Sequence, residues 1–261
     1  MKKIFVLFLL LFLTSSQGWS AVKTQVVNYQ YGGTTMKGYL AWDDAVSGKR
    51  PGILVVHEFW GLNDYARQRA EQLAKMGYVA LAADMYGDGK SSMHPEEAQS
   101  MMQEVRSNIK TWVGRATAAL QVLKDNPNVD PQKLAAIGYC FGGATALQLA
   151  YSGADLKAAV SFHGSLPIPD STQAIKARLL IMQGADDPFV PADVIQKLKD
   201  TLAQGKVSYR FISYPGAGHS FTVPDAEMKM KMKGVAYNAE ADKLSWQEMT
   251  KLFQEVFKAG K

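Results

Sequence analysis

The stretch "AAIGYCFGGATAL", residues 135–147, decides the fold. Its first half is apolar and short, as a buried strand is. Its second half, "FGGATALQLAYSG", reads as a helix. Between them Cys140 is flanked by Gly138 and Gly142, with Gly143 beside it, and it is the single cysteine of the chain. This is the G-x-S-x-G turn with cysteine in place of serine. A sharp strand-to-helix turn lifts the central side chain above a sheet, and the flanking residues must be tiny to avoid the neighbouring strand and helix. The helix N-terminus adds N–H groups and a positive dipole end, which favour a thiolate and a developing oxyanion. Two glycines would flank a given cysteine by chance about 0.5% of the time. The turn therefore weighs as chemistry more than as a buried structural thiol.

Working outward, the same alternation recurs. "VVNYQYGG" and "MKGYLAW" form a hairpin around Gly32-Gly33. "PGILVVHE" (51–58), "YVALAADMYG", "KLAAIGYC", "KAAVSFHG" and "RLLIMQG" are near-continuous apolar strands. Helices lie between them: one from an Asn63 cap to a Gly77 stop, one or two over 95–125, and one from Pro191 to Gly205. "VSYRFISYP" is a more exposed strand, and "SWQEMTKLFQEVFKAG" is a closing amphipathic helix. Strand–helix alternation with apolar strands predicts a doubly wound, mostly parallel α/β sheet covered on both faces. With no linker or repeat, residues 22–261 are expected to form one domain, and a monomer is the default.

Residues 1–21 have a different character. "MKK", then "IFVLFLLLFL", then small residues follow the n-, h- and c-region order of a secretory signal peptide, with cleavage after Ser20 or Ala21. The apolar run is short of the about 20 residues a span needs, so no stable membrane span is expected after cleavage. An uncleaved anchor is the competing reading. Export, to a periplasm or out of the cell, implies oxidising surroundings. A lone cysteine there is an inert thiol, an intermolecular link or a reactive group. The net charge of +5 falls to about +3 once Lys2 and Lys3 leave, and the basic residues are dispersed, so nothing asks for nucleic acid. The run "EMKMKMKG" (227–234) is read as an amphiphilic surface segment near the site mouth; the competing reading is a membrane or polyanion patch.

A nucleophile needs a base, and the base an orienting acid. In a fold of this kind the chain order is nucleophile, acid, base. After Cys140 only His163 and His219 remain. His219, in the glycine-rich "PGAGHSF" after the last strand, is the expected base, reaching back through a flexible loop. His163, in "SFHG", is expected as a pocket or packing residue. Asp186 and Asp187, in "GADDPFVP", compete for the acid that would fix the imidazole tautomer; the competing reading for the pair is a turn or helix-cap role.

Taken together, "HEFWGLN" (57–63), "ADMYG" (83–87), "GYCFGG" (138–143), "GADDPFVP" (184–191) and "GAGHSF" (216–221) resemble the dienelactone hydrolase family, α/β-hydrolases with a cysteine nucleophile. The resemblance spans residues 35–258. It implies Asp187 as the acid and a Cys140–His219–Asp187 triad. It also implies a role for Glu58 in activating the cysteine, and an oxyanion hole from the Phe59 and Phe141 N–H groups. Trp60, His163 and Phe221 are the expected pocket residues. The implied reaction is hydrolysis of a small-molecule ester or lactone through an acyl-thioester, without metal or organic cofactor. Val223 stands where dienelactone-cleaving enzymes carry an arginine that grips the substrate carboxylate, and Arg106, on a predicted helix, is the candidate to replace some of that charge. The alternatives are a binding or redox-sensing protein on the same fold, or hydrolysis of a thioester or amide.

Overall fold

The computed structural model describes residues 22–258; the expected signal peptide lies outside the described residues. The elements run β1 (Val22–Tyr31), β2 (Thr34–Asp43), β3 (Arg50–Val56), α1 (Asp64–Lys75), β4 (Val79–Ala83), α2 (Pro95–Arg106), α3 (Ile109–Asp125), β5 (Val129–Tyr139), α4 (Phe141–Tyr151), β6 (Ala158–Phe162), β7 (Arg178–Gly184), α5 (Ala192–Gln204), β8 (Tyr209–Tyr214), α6 (Ala226–Met230) and α7 (Ala239–Lys258). They build one 8-stranded sheet in the order β1-β2-β4-β3-β5-β6-β7-β8. β1 and β2 form the antiparallel hairpin, and β2 joins β4 antiparallel. From β4 to β8 every pairing is parallel. The hairpin turns at Gly32 and Gly33, both at positive φ (59° and 80°), the conformation a two-residue primed turn needs.

Side chains alternate across the sheet. On β3, Leu54 and Val56 enter a core shared with α2, α3, α4 and α5, while Ile53 and Val55 enter a second core under α1 and α7. Both faces of the central strands are thus buried, which explains their continuous apolar runs. The helix over 95–125 is two helices. Ser107 closes the first and Asn108 caps the second, its side chain accepting from the Lys110 and Thr111 N–H groups. Asn63 caps α1 through Ala66 N–H, and Gly77, at φ 90°, follows its last turn.

This architecture sets the site. β3, β5, β6 and β7 run parallel, so the loops after them gather at one sheet edge, where doubly wound folds bind ligands. Among the described residues, no helix is long and apolar enough to cross a membrane.

Candidate active site

Cys140 caps α4 with φ 52° and ψ −113°. A non-glycine residue there carries about 1–3 kcal/mol of strain, held in place by its surroundings. The surroundings are specific. A Cβ added to Gly138 would lie 2.0 Å from Gly142 O, one on Gly142 would lie 2.1 Å from Val56 O, and one on Gly143 would lie 2.5 Å from Ser161 Oγ. Each glycine therefore lets a different neighbour approach. The Cys140 N–H donates to Phe162 O on β6 at 3.0 Å, and the side chain is partly exposed.

The structure brings Cys140, His219 and Asp187 together. His219 Nε2 lies 3.2 Å from Cys140 Sγ, and its Nδ1 lies 2.9 Å from Asp187 Oδ2. Asp187 Oδ1 accepts from Phe189 N–H at 2.9 Å, so the turn after β7 holds the carboxylate in place. Asp186 is exposed and touches the site only through its backbone, donating to Ala217 O.

The loop carrying His219 is tied rather than free. His219 N–H donates to Gly234 O at 2.7 Å, and Ala236 N–H donates to His219 O at 3.2 Å. The expected flexibility is replaced by a short parallel bridge to Val235. Gly218 permits it, since a Cβ there would meet Gly234 O at 2.3 Å.

Burial pulls the His219 pKa down. The Cys140 sulfur, hydrogen bonds to Asp187 and Cys140, and the Asp187 charge pull it up, and the result is a rise to about 10. A buried imidazole that meets a carboxylate is thus drawn toward its protonated form.

Glu58 is buried. Ser220 Oγ–H donates to its Oε1 at 2.8 Å. Burial raises its pKa against the lowering influence of Ser220, His219 and Lys229. Ser220, which reaches it from the residue after His219, was not singled out from the sequence, although it stands inside "GHSF".

The backbone around Glu58 and Phe59 is clamped from the "ADMYG" turn. Tyr86 O–H donates to Phe59 O at 2.8 Å. Met85 N–H donates to His57 Nε2 at 3.3 Å, which makes Nε2 the acceptor and leaves Nδ1–H to donate to Glu58 O. Asp84 shapes that turn, accepting from the N–H groups of Lys37, Tyr86, Gly87 and Gly89. Phe141, the other expected oxyanion donor, opens α4.

His163 and Phe221, expected along the pocket, have no exposed surface. They lie behind the site. His163 packs edge-on to His219, with ring centroids 5.4 Å apart, and to Phe221 at 5.2 Å. Its Nε2 meets Thr222 Oγ1 at 2.7 Å, and burial holds its pKa well below the usual value. Its apolar surroundings and proximity to His219 leave room only for a neutral ring. Thr222 O also accepts from Arg69, which pairs with Asp242 at 2.6 Å. Losing one partner of a pair this buried costs about 3–5 kcal/mol. Arg106 is exposed, stacked over the Trp112 ring, and Val223 is buried beside Ala226 and Val235.

A cavity of about 510 Å³ has Trp60 in its wall, but none of Cys140, Asp187, His219 or Glu58 lines it. Tyr65, Met93, Pro224, Asp225 and Lys229 also line it. Its walls come from α1, from residues 91–93 and from the stretches that follow Glu58 and His219 in the chain. Among the described residues, no group of three or more His, Cys, Asp or Glu side chains could hold a metal ion.

The model of the dienelactone hydrolase family matches residues 36–257. The chain belongs to the dienelactone hydrolase family. Among solved structures it is similar to a dienelactone hydrolase-like promiscuous phosphotriesterase from metagenomic libraries, at 40% identity and TM-score 0.86, covering 90% of this chain and 99% of that one. It is also similar to a protein called m3DLH, at 42% identity and TM-score 0.87 with the same coverage. A Synechocystis sp. protein provisionally named a carboxymethylenebutenolidase is 29% identical over 262 residues, 91% of this chain and 98% of its own length. The chain is accordingly a hydrolase with the α/β-hydrolase fold.

Proposed function

We propose that the protein is an exported hydrolase that cleaves an ester or lactone bond through Cys140, His219 and Asp187, in the manner of a carboxymethylenebutenolidase. The observation that carries this is His219, which bridges Cys140 Sγ and Asp187 Oδ2 at the tip of a strained turn. The thiolate attacks the carbonyl carbon, and the oxyanion is held by the Phe59 and Phe141 N–H groups. Collapse expels the alcohol, which takes its proton from the His219 imidazolium, and leaves an acyl-thioester. Water then attacks, giving its proton to His219; the acid is released and the sulfur returns as thiolate. Glu58, beside the path and held by Ser220, modulates the charge at the site.

The two half-reactions place opposite demands on His219. Acylation needs the imidazolium, while deacylation needs the neutral base. Acylation removes the charge on sulfur, the strongest influence raising the His219 pKa. Burial then faces less opposition, and the pKa falls from about 10 toward the neutral form that deacylation uses. Deacylation, read from the steady-state phase after a p-nitrophenyl acetate burst, is expected to fall as pH drops through the lower pKa of the acyl-enzyme. A steady-state rate that stays flat across that range would remove His219 as the deacylating base. The same shift makes His219 stabilise the fold. Its folded pKa lies above the unfolded 6.5, so that contribution is fully present below about 6.5 and is lost as pH rises through about 10.

Export rests on the signal-like order of residues 1–21. Protein recovered outside the cytoplasm is expected to begin at Ala21 or Val22 by N-terminal sequencing. Recovery of the intact Met1 terminus from the cytoplasm would refute export.

A further inference from the structure

Thr222 stands three residues after His219 on the same loop and is fully buried. Its Oγ1 meets the Tyr65 hydroxyl at 2.6 Å and His163 Nε2 at 2.7 Å. Its carbonyl accepts from Arg69 Nη2 at 3.0 Å and from the Tyr65 O–H at 3.2 Å. Tyr65 and Arg69 are one turn apart on α1, and Arg69 Nε donates to the Tyr65 oxygen at 3.2 Å. The guanidinium is fixed in turn by Asp242 on α7 and lies over the rings of Tyr65, Tyr139 and Trp246. Two helices thus grip the loop that carries His219. The His219 ring itself meets two aromatic neighbours edge-on. Phe189, at 5.0 Å between ring centroids, is exposed; His163, at 5.4 Å, is buried. A phenyl ring offers no atom for a hydrogen bond to hold, whereas His163 is tied to the helical frame through Thr222.

We propose that Thr222 is a positioning residue for hydrolysis: its hydroxyl fixes the His163 ring, and that ring holds the His219 imidazole in line between Cys140 Sγ and Asp187. The inference rests on the hydrolytic reading above and extends its machinery to two buried residues behind the reacting groups. The His219 backbone is held at Gly234 and Ala236, but backbone bonds leave the side-chain torsions free. The direction of the ring is set by what the ring touches. Both half-reactions pass a proton through Nε2, so a misdirected ring lowers kcat and leaves ground-state binding in place. Without the hydroxyl, His163 Nε2 would lose its partner in a buried site, which is costly. Tyr65 would keep the Thr222 carbonyl, so the disturbance falls on the ring beside His219.

The test sets Thr222→Val, which keeps the shape and removes the hydroxyl, beside Thr222→Ser, which keeps the hydroxyl. With p-nitrophenyl acetate, Thr222→Val is expected to lower kcat about tenfold, a loss that a small misplacement of a reacting group produces, with KM within about twofold. Thr222→Ser is expected to stay within about threefold of wild type. His163→Asn places a residue suited to the positive φ of 39° at that position and leaves the space beside His219 unfilled. It should lower kcat by at least about tenfold, and adding Thr222→Val to it should cost less than about twofold more, because residues that act through one another are not additive. Should the valine variant fail to fold, Thr222→Ala carries the same expectations. The His219 Cε1–H resonance, read by NMR without substrate, is expected to shift in Thr222→Val and to return in Thr222→Ser. Wild-type kcat in Thr222→Val or His163→Asn, additive losses in the double variant, or an unmoved His219 resonance would overturn the proposal. A wild type that hydrolyses no ester would strike the hydrolytic reading instead, and the resonance would still decide whether Thr222 sets the His219 ring.

Discussion

Cys140→Ala is expected to lower kcat/KM for p-nitrophenyl acetate by about 10⁴-fold or more, the scale on which removal of a nucleophile acts, while the protein stays folded. The nucleophile is the one element of the site with no substitute nearby. Glu58 is held by Ser220, His163 is buried behind His219, and neither can reach a carbonyl as the exposed edge of Cys140 can. The remaining N–H groups would still bind the oxyanion, so a small residual rate is consistent with the mechanism. Folding should survive because alanine at φ 52° costs no more backbone strain than cysteine already carries. The loss of sulfur would also release His219. Its pKa, held up chiefly by that sulfur against burial, should fall, and imidazole C–H chemical shifts followed by NMR across pH would report it. Retained turnover with an intact fold would end the assignment of Cys140. Absent turnover in the wild type, with reversible oxidation of Cys140 by mild peroxide, would turn the same turn toward sensing.

Much of the site was legible because its signals are local. The hairpin follows from two adjacent glycines, α1 from Asn63 and Gly77, and the turn at Cys140 from glycines whose neighbours are backbone atoms. What stayed hidden depends on groups distant in sequence. The β2-β4-β3 order comes from pairings between strands whose apolar runs look alike. The restraint on His219 comes from residues 234–236, after a Met-Lys run with no clear period. Tyr86 and His57 act through backbone carbonyls, which leave no mark in a sequence. His163 is expected as a pocket or packing residue, and a strand-end position does not decide between them; the ring packs against His219 and Phe221, residues far along the chain.

Gly142→Ala is expected to be severely damaging. The added Cβ would sit 2.1 Å from Val56 O and 2.6 Å from His57 O. Both are backbone atoms at the end of β3, so no side chain can rotate away. Either α4 must lift or β3 must shift, and both lie between filled cores. The expected loss exceeds about 4 kcal/mol, in the range reserved for backbone clashes and buried defects, and it should lower Tm by more than about 10 °C. Gly48→Ala is the control. Gly48 has φ 80° but nothing within 4 Å of the added atom, so it should cost only about 1 kcal/mol of backbone strain. Similar Tm values for the two variants would show that close approach is not what demands glycine at 142. Any folded Gly142→Ala protein should still lose activity. Lifting α4 moves the Phe141 N–H and Cys140 away from the His57–Phe59 segment, and an oxyanion cannot be held by two donors that have been pulled apart.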